Sequence, residues 1–218
     1  MVDSRQTRIG VLVYDGVDLL DVAVPYELFG WAAAADSTLS VRLVAAKARR
    51  VTTRDLFRFE ADDEIHDCPP LDVIWVPGAD PKFLADAMKN ETILGFLKKQ
   101  AAGAQLVVSV CEGALVLAAA GLLDGFEATT HWAFLPCFAR FPKIRVAAGY
   151  PRFVVDCNRV TGGGISSGLD EALKVIALLR GDDAARNVQL TIQYHPQPPF
   201  HWGDPAQAGT PPATSCPI

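Results

Sequence analysis

The chain lacks long apolar runs, basic stripes and paired-cysteine motifs, and each absence removes a class of function. No apolar stretch reaches the ~18 residues a membrane span needs, and residues 1–6 lack the apolar core of a secretion signal. Adjacent basic residues occur only as the pairs Arg49-Arg50 and Lys98-Lys99, and the net charge is −5, so a nucleic-acid surface is not expected. Five cysteines stand at 68, 111, 137, 157 and 216, with no Cys-x-x-Cys pair and no histidine at zinc-finger distance. Neither a disulfide framework nor a metal site is expected, and reduced thiols in the cytoplasm are the simpler account. The glycine run at 162–164 matches neither a P-loop nor a dinucleotide fingerprint, and close backbone packing near a compact site is the better explanation.

Half of the 218 residues are apolar, enough for one α/β domain, placed at residues 1–200 and followed by a proline-rich tail at 201–218. Short apolar, β-branched runs ending in tight turns predict strands at 8–14, 39–46, 72–76 and 105–110, with shorter ones at 144–148 and 153–156. Residues 51–59 read as a hairpin, Asp62, Asp63 and Glu64 as an acidic loop, and 161–168 as a glycine-dense turn. Helices are predicted over 81–88, 91–100, 112–120, 132–141, 169–179 and 182–194. In the helix at 169–179, Leu169, Leu173, Ile176 and Ala177 share a face. A further helix follows the first strand, with Asp21 as its cap and Pro25 in its first turn.

The stretch 107–120 organises the chain, because a buried strand there runs straight into a small-residue helix with Cys111 at the join. A side chain at such a turn projects at the end of the sheet, beside the free N–H groups of the helix. There the helix N-terminus would lower the thiol pKa into roughly the 3.5–7.5 range and make the thiolate the resting nucleophile. Gly113 lets the turn close and lets substrate approach. The competing reading of Cys111 is a small buried hydrophobe without chemistry. Asp21 lies near the carboxyl end of the first strand, where sites form in open α/β sheets, and is read either as a carboxylate of that site or as a helix cap. The turns after two buried strands would face the N–H of Ala79 towards that of Glu112 across Cys111 as an oxyanion-type pair. His131 is open between a proton-transfer role and a structural one.

Residues 73–78, 109–114, 119–125, 128–132 and 161–165 together resemble the ThiJ/PfpI superfamily, the class I glutamine-amidotransferase-like proteins, over about residues 8–200. Within it the chain is most similar to bacterial isocyanide hydratases, through Leu20-Asp21, Thr129-Thr130-His131-Trp132 and residues 188–200. The resemblance implies a flavodoxin-like three-layer sandwich with a mostly parallel central sheet, and a homodimer. It implies Cys111 as nucleophile, Asp21 as acid/base carboxylate, Gly78 and Ala79 on the oxyanion side, and a pocket that includes His131, Gly163, Gly164 and Ile165. The implied reaction is thiolate attack on an isocyanide carbon, hydration of a thioimidate and release of an N-substituted formamide, without cofactor or metal. Two departures concern the site: Glu112 stands where the hydratases carry threonine, and Ala79 replaces a glycine and narrows the pocket. Glu112 favours the helix N-terminus but raises the sulfur's pKa when ionised. PfpI-like amidases differ by a histidine after the nucleophile. AraC-type regulators share the Thr-Thr-His-Trp segment but carry a helix-turn-helix domain, and a thiol sensor oxidised at Cys111 is the remaining alternative.

Overall fold

A computed structural model describes residues 6–208 and 216–217. Its centre is a seven-stranded sheet made from β1 (Thr7–Val13), β2 (Leu39–Ala45), β5 (Asp63–Glu64), β6 (Val73–Val76), β7 (Leu106–Ser109), β10 (Phe153–Asp156) and β11 (Arg159–Gly162), in the order β10-β11-β7-β6-β1-β2-β5. Only β10 runs antiparallel to its neighbour. The apolar character of β6 and β7 at every position has a simple cause: helices cover both faces, and all eight residues of these strands are buried. One layer holds α1 (Leu19–Ala35), α5 (Ser167–Arg180) and α6 (Asp182–Thr191); the other holds α2 (Pro81–Lys89), α3 (Glu91–Ala101) and α4 (Gly113–Ala119). The expected three-layer α/β architecture is therefore what the chain adopts. Hairpin β3 (Arg50–Thr52) and β4 (Arg58–Glu60), and the small pair β8 (Glu127–Ala128) and β9 (Arg145–Val146), lie outside the main sheet.

Local chemistry explains the boundaries. Asp80 accepts from Lys82 N and Pro81 opens α2, while Asn90 accepts from Thr92 N and Ile93 N to start α3. Other expectations need correction. Asp21 does not cap α1: the helix starts at Leu19, three residues earlier than expected, with Asp18 at the N-cap, and Pro25 lies inside it. The acidic loop at 62–64 contains edge strand β5, paired with β2. Strand β11 was hidden by the glycine run it leads into. The buried face of α5 is formed by Gly168, Glu171, Ala172, Val175 and Ile176, with Leu169, Leu173 and Ala177 only partly covered. Residues 132–140 form a 3-10 segment (Trp132–Arg140) rather than an α-helix.

Cysteine pairing also differs from expectation. Cys137 and Cys216 form a disulfide across 79 residues, leaving Cys68, Cys111 and Cys157 free, so the premise that all five thiols are reduced does not hold. The bond returns the end of the tail to the 3-10 segment. Part of the tail expected at 201–218 lies outside the described residues; within it, Pro205–Ala208 make a second 3-10 turn. Among the described residues no helix is long and apolar enough to cross a membrane. Closing a loop this long restricts the unfolded chain, so Cys216→Ser should lower unfolding free energy by about 2–4 kcal/mol in denaturant titration. An unchanged midpoint would show that the bond constrains nothing.

Candidate active site

Cys111 occupies the turn between β7 and α4 with a φ of 55°, a left-handed conformation that costs a residue with a β-carbon of order 1–3 kcal/mol. Neighbouring elements hold both of its backbone groups: Cys111 N–H donates to the Gly163 carbonyl at 2.8 Å, and Thr130 Oγ1 donates to the Cys111 carbonyl at 2.8 Å. Gly113 presses the turn against β6, since a β-carbon there would stand 2.0 Å from the Val76 carbonyl oxygen. Its missing side chain thus serves backbone closure rather than substrate room.

Asp21 reaches the same point from α1. Pro25, four residues on, has no N–H, so the Asp21 carbonyl is released from the helix ladder, and the Trp75 indole donates to it at 3.1 Å. The Asp21 carboxylate accepts from Gly78 N–H at 2.9 Å. A β-carbon on Gly78 would lie 2.4 Å from Glu112 Oε2, 2.9 Å from Cys111 Cβ and 3.0 Å from Asp21 Oδ2, so glycine at 78 is what allows these three side chains to converge. Because the Gly78 N–H is committed to Asp21, it is not a free oxyanion donor. Ala79 is buried and forms an antiparallel bridge with Val17. The donor that reaches the sulfur is the Ile165 N–H.

The electrostatics overturn the expected resting thiolate. Cys111 is 1% exposed, Asp21 0% and Glu112 6%. Burial first, then the Asp21 and Glu112 carboxyls, push the Cys111 thiol well up, and only the Ile165 N–H opposes them. The seven-residue α4 does not offset that cost. Burial likewise pushes Asp21 well up against the Gly78 N–H, and it pushes Glu112 up to about 7. Glu112, pushed up to about 7, can ionise near neutrality, and a carboxylate oxygen of it lies within 4.8 Å of the Cys111 sulfur, so it is a base available to the thiol. Asp21 Oδ1 and Glu112 Oε2 are buried without a hydrogen-bond partner.

His131 caps the 3-10 segment, with Nδ1 accepting from Ala133 N–H at 3.2 Å. That bond leaves the proton of the neutral ring on Nε2, and burial lowers the ring's pKa, so His131 faces the site as a donor rather than a base. Gly164 packs on it, its absent β-carbon falling 2.6 Å from His131 Cδ2. Thr130, His131, Gly163, Gly164 and Ile165 open onto a cavity of about 310 Å³. Thus Cys111, Asp21, Glu112, Gly78, His131, Gly163, Gly164 and Ile165 are brought together. Sequence reading missed Tyr14, whose buried hydroxyl donates to the Pro77 carbonyl, and Asp18, paired with Arg54 at 3.1 Å. Both follow the carboxyl end of β1, a position that could have singled them out. Two sets of ligand atoms lie within 4.8 Å of one another, Cys111 with Glu112 and His131, and Asp18 with Asp21 and Cys111. Ligation by His131 Nε2 would require moving the ring proton to Nδ1, which breaks the bond to Ala133.

Comparison with known proteins places this geometry among relatives. The sequence profile of the DJ-1/PfpI family matches residues 7–178. The chain is 41% identical to an isonitrile hydratase of Pseudomonas putida over 201 residues, covering 92% of this chain and 84% of that protein. It superimposes on a ThiJ/PfpI family protein from Pseudomonas syringae with a TM-score of 0.84 and 34% identity, over 95% of this chain and 82% of that one. It is also 29% identical to the HTH-type transcriptional regulator GbdR of Pseudomonas aeruginosa, over 85% of this chain but 50% of the regulator.

Two outcomes follow from the raised carboxyls and the indole bond. The protonated Glu112 side chain contributes stability that is present below about pH 4.5 and lost as pH rises through about 7, so wild type should lose Tm across that window relative to Glu112→Gln. Parallel pH profiles of the two proteins would contradict the raised pKa. Trp75→Phe, which removes the donor to Asp21, should cost about 1–3 kcal/mol in denaturant unfolding by leaving a buried carbonyl unpaired, whereas a loss under about 0.5 kcal/mol would show that the bond is unimportant.

Proposed function

The chain belongs to the DJ-1/PfpI family, and from that premise we propose that it is a cysteine-dependent hydratase that converts an isocyanide into an N-substituted formamide. The observation that carries the proposal is the convergence of Cys111, Asp21 and Glu112 over Gly78, beside a cavity of about 310 Å³. Identity of 41% with the isonitrile hydratase supports the substrate class.

In this mechanism the Glu112 carboxylate takes the Cys111 proton as the sulfur attacks the terminal isocyanide carbon, and the neutral Asp21 carboxyl protonates that carbon to give a thioimidate. Asp21, now ionised, removes a proton from water as the hydroxide adds to the thioimidate carbon, and Glu112 returns its proton to the nitrogen. Collapse of the tetrahedral carbon breaks the C–S bond, and the hydroxyl proton passes to the departing sulfur. Formamide leaves, and all three groups are back in their starting states. The raised pKa values suit this division: burial favours the neutral, donating form of Asp21, and a carboxyl at about 7 can both accept and return a proton. His131 Nε2–H is placed to hydrogen-bond the substrate side of the cavity.

A thiol sensor is disfavoured, because selective oxidation follows exposure and thiolate character and Cys111 has neither. We further propose that the protein acts as a homodimer, supported by the exposed Leu20, Tyr26 and Trp31 on α1.

Formation of N-alkylformamide from an alkyl isocyanide tests the assignment. Wild type should turn over, Cys111→Ala should not, and Asp21→Asn should lose on the order of 10²–10⁴-fold in kcat. In the wild type kcat/KM should rise with pH through about 7, and Glu112→Gln should remove that rise. A wild-type protein without formamide product would reject the hydratase.

A further inference from the structure

We propose that the C-terminal segment is a wall of the substrate cavity, and that residues 203–205, tethered through Cys216, set the size of the N-substituent that reaches Cys111. The inference deepens the hydratase proposal and rests on it for the identity of the substrate.

One side of the cavity is lined by Thr130, which bonds the Cys111 carbonyl, by His131, whose ring nitrogen lies within 4.8 Å of the sulfur, and by Gly164 and Ile165, which follow the Gly163 carbonyl that accepts from Cys111 N–H. Its outer side is formed by Gly203 and Pro205, which lie beyond the end of α6 at Thr191 and belong to none of the sheet's covering helices. The segment is restrained along its course. Tyr194 donates to Asp170 Oδ1 at 2.9 Å, Ala206 N–H to Asp204 Oδ1 at 2.9 Å, and Gln207 Nε2 to the His201 carbonyl at 3.1 Å. Prolines at 196, 198, 199 and 205 fix φ at four further points.

Cys216 then bonds Cys137, a residue at 0% exposure in the 3-10 segment whose first residue, Trp132, also lines the cavity. The disulfide thereby anchors the chain, eleven residues beyond Pro205, to the segment whose Trp132 lines the cavity. Arg152 also lines the cavity, but its guanidinium is engaged by Asp170 Oδ2 at 2.6 Å, Ser166 Oγ at 3.1 Å and the Ser166 carbonyl at 2.8 Å. With Trp132, Tyr150, Pro151 and Pro205 around it, the space fits a neutral, apolar substituent. A volume of about 310 Å³ is at the lower end of the roughly 300–1,000 Å³ typical of small-molecule sites, so moving the wall changes what is admitted.

The test uses full-length wild type, Cys216→Ser, Pro205→Ala and Gly203→Phe. A β-carbon at 203 meets nothing within 4 Å, so a side chain can start there without a clash, and the phenylalanine ring is expected to narrow the opening that Gly203 lines. Two ratios are read: kcat/KM for an aryl isocyanide over a methyl isocyanide, and the rate of Cys111 alkylation by N-phenylmaleimide over iodoacetamide, followed at the Cys111 peptide by mass. Cys216→Ser and Pro205→Ala should raise the bulky-to-small ratio, and Gly203→Phe should lower it, each by at least about tenfold. Ratios within about twofold of wild type in all three variants would overturn the wall. A shifted alkylation ratio without any isocyanide turnover would support the wall and reject the hydratase, which keeps the two failures apart.

Discussion

Three acidic side chains meet in a dry space over Gly78, and the molecule around them is arranged so that they can. Each of Cys111, Asp21 and Glu112 is buried, so none ionises at its ordinary pH, and a charge on one raises the cost of a charge on the next. Burial and mutual repulsion hold down ionisation across the cluster, and Glu112, pushed up to about 7, can carry a charge near neutrality. In the proposed mechanism the nucleophile is reached by proton transfer from Cys111 to Glu112, not by standing ionisation. That arrangement differs from a cysteine activated by a helix terminus alone, and it is why the proposed mechanism gives Glu112 a part in the chemistry.

The sheet supplies the convergence. Because β1, β6 and β7 run parallel, the turn that leads to Asp21, the turn at Gly78 and the turn at Cys111 emerge along one edge. Small sequence features then fix the angles: Gly113 allows α4 to touch the Val76 carbonyl, and Pro25 frees the Asp21 carbonyl for Trp75. The left-handed strain at Cys111 is held by Gly163 and Thr130, from the segments that also line the cavity. The geometry at Cys111 and the shape of the cavity therefore depend on the same contacts.

Much of this was legible in the sequence, for identifiable reasons. Strands β6 and β7 are covered on both faces, so their unbroken apolar runs announced them, and the turns that follow marked Gly78 and Cys111 directly. Asp80 with Pro81, and Asn90, carry their capping chemistry openly. What stayed hidden depended on partners distant in the chain. The Cys137–Cys216 bond spans 79 residues, and no spacing rule pairs such cysteines. Protonation of Cys111 depends on burial and on Asp21, ninety positions away, whereas the local pattern showed only a helix start. Asp21 looked like a cap because its helix begins three residues sooner than the apolar pattern indicated. His131 showed its residue type but not its tautomer, which is set by the backbone N–H of Ala133.

The most direct test of the shared-charge account is a titration of thiolate absorbance in wild type, with Cys111→Ala subtracted to isolate the one sulfur. The account predicts little thiolate at neutral pH and a signal that grows only above the ordinary thiol value of 9.0. A full thiolate signal already present at about pH 7 would contradict it, and would return the activation of Cys111 to the helix terminus.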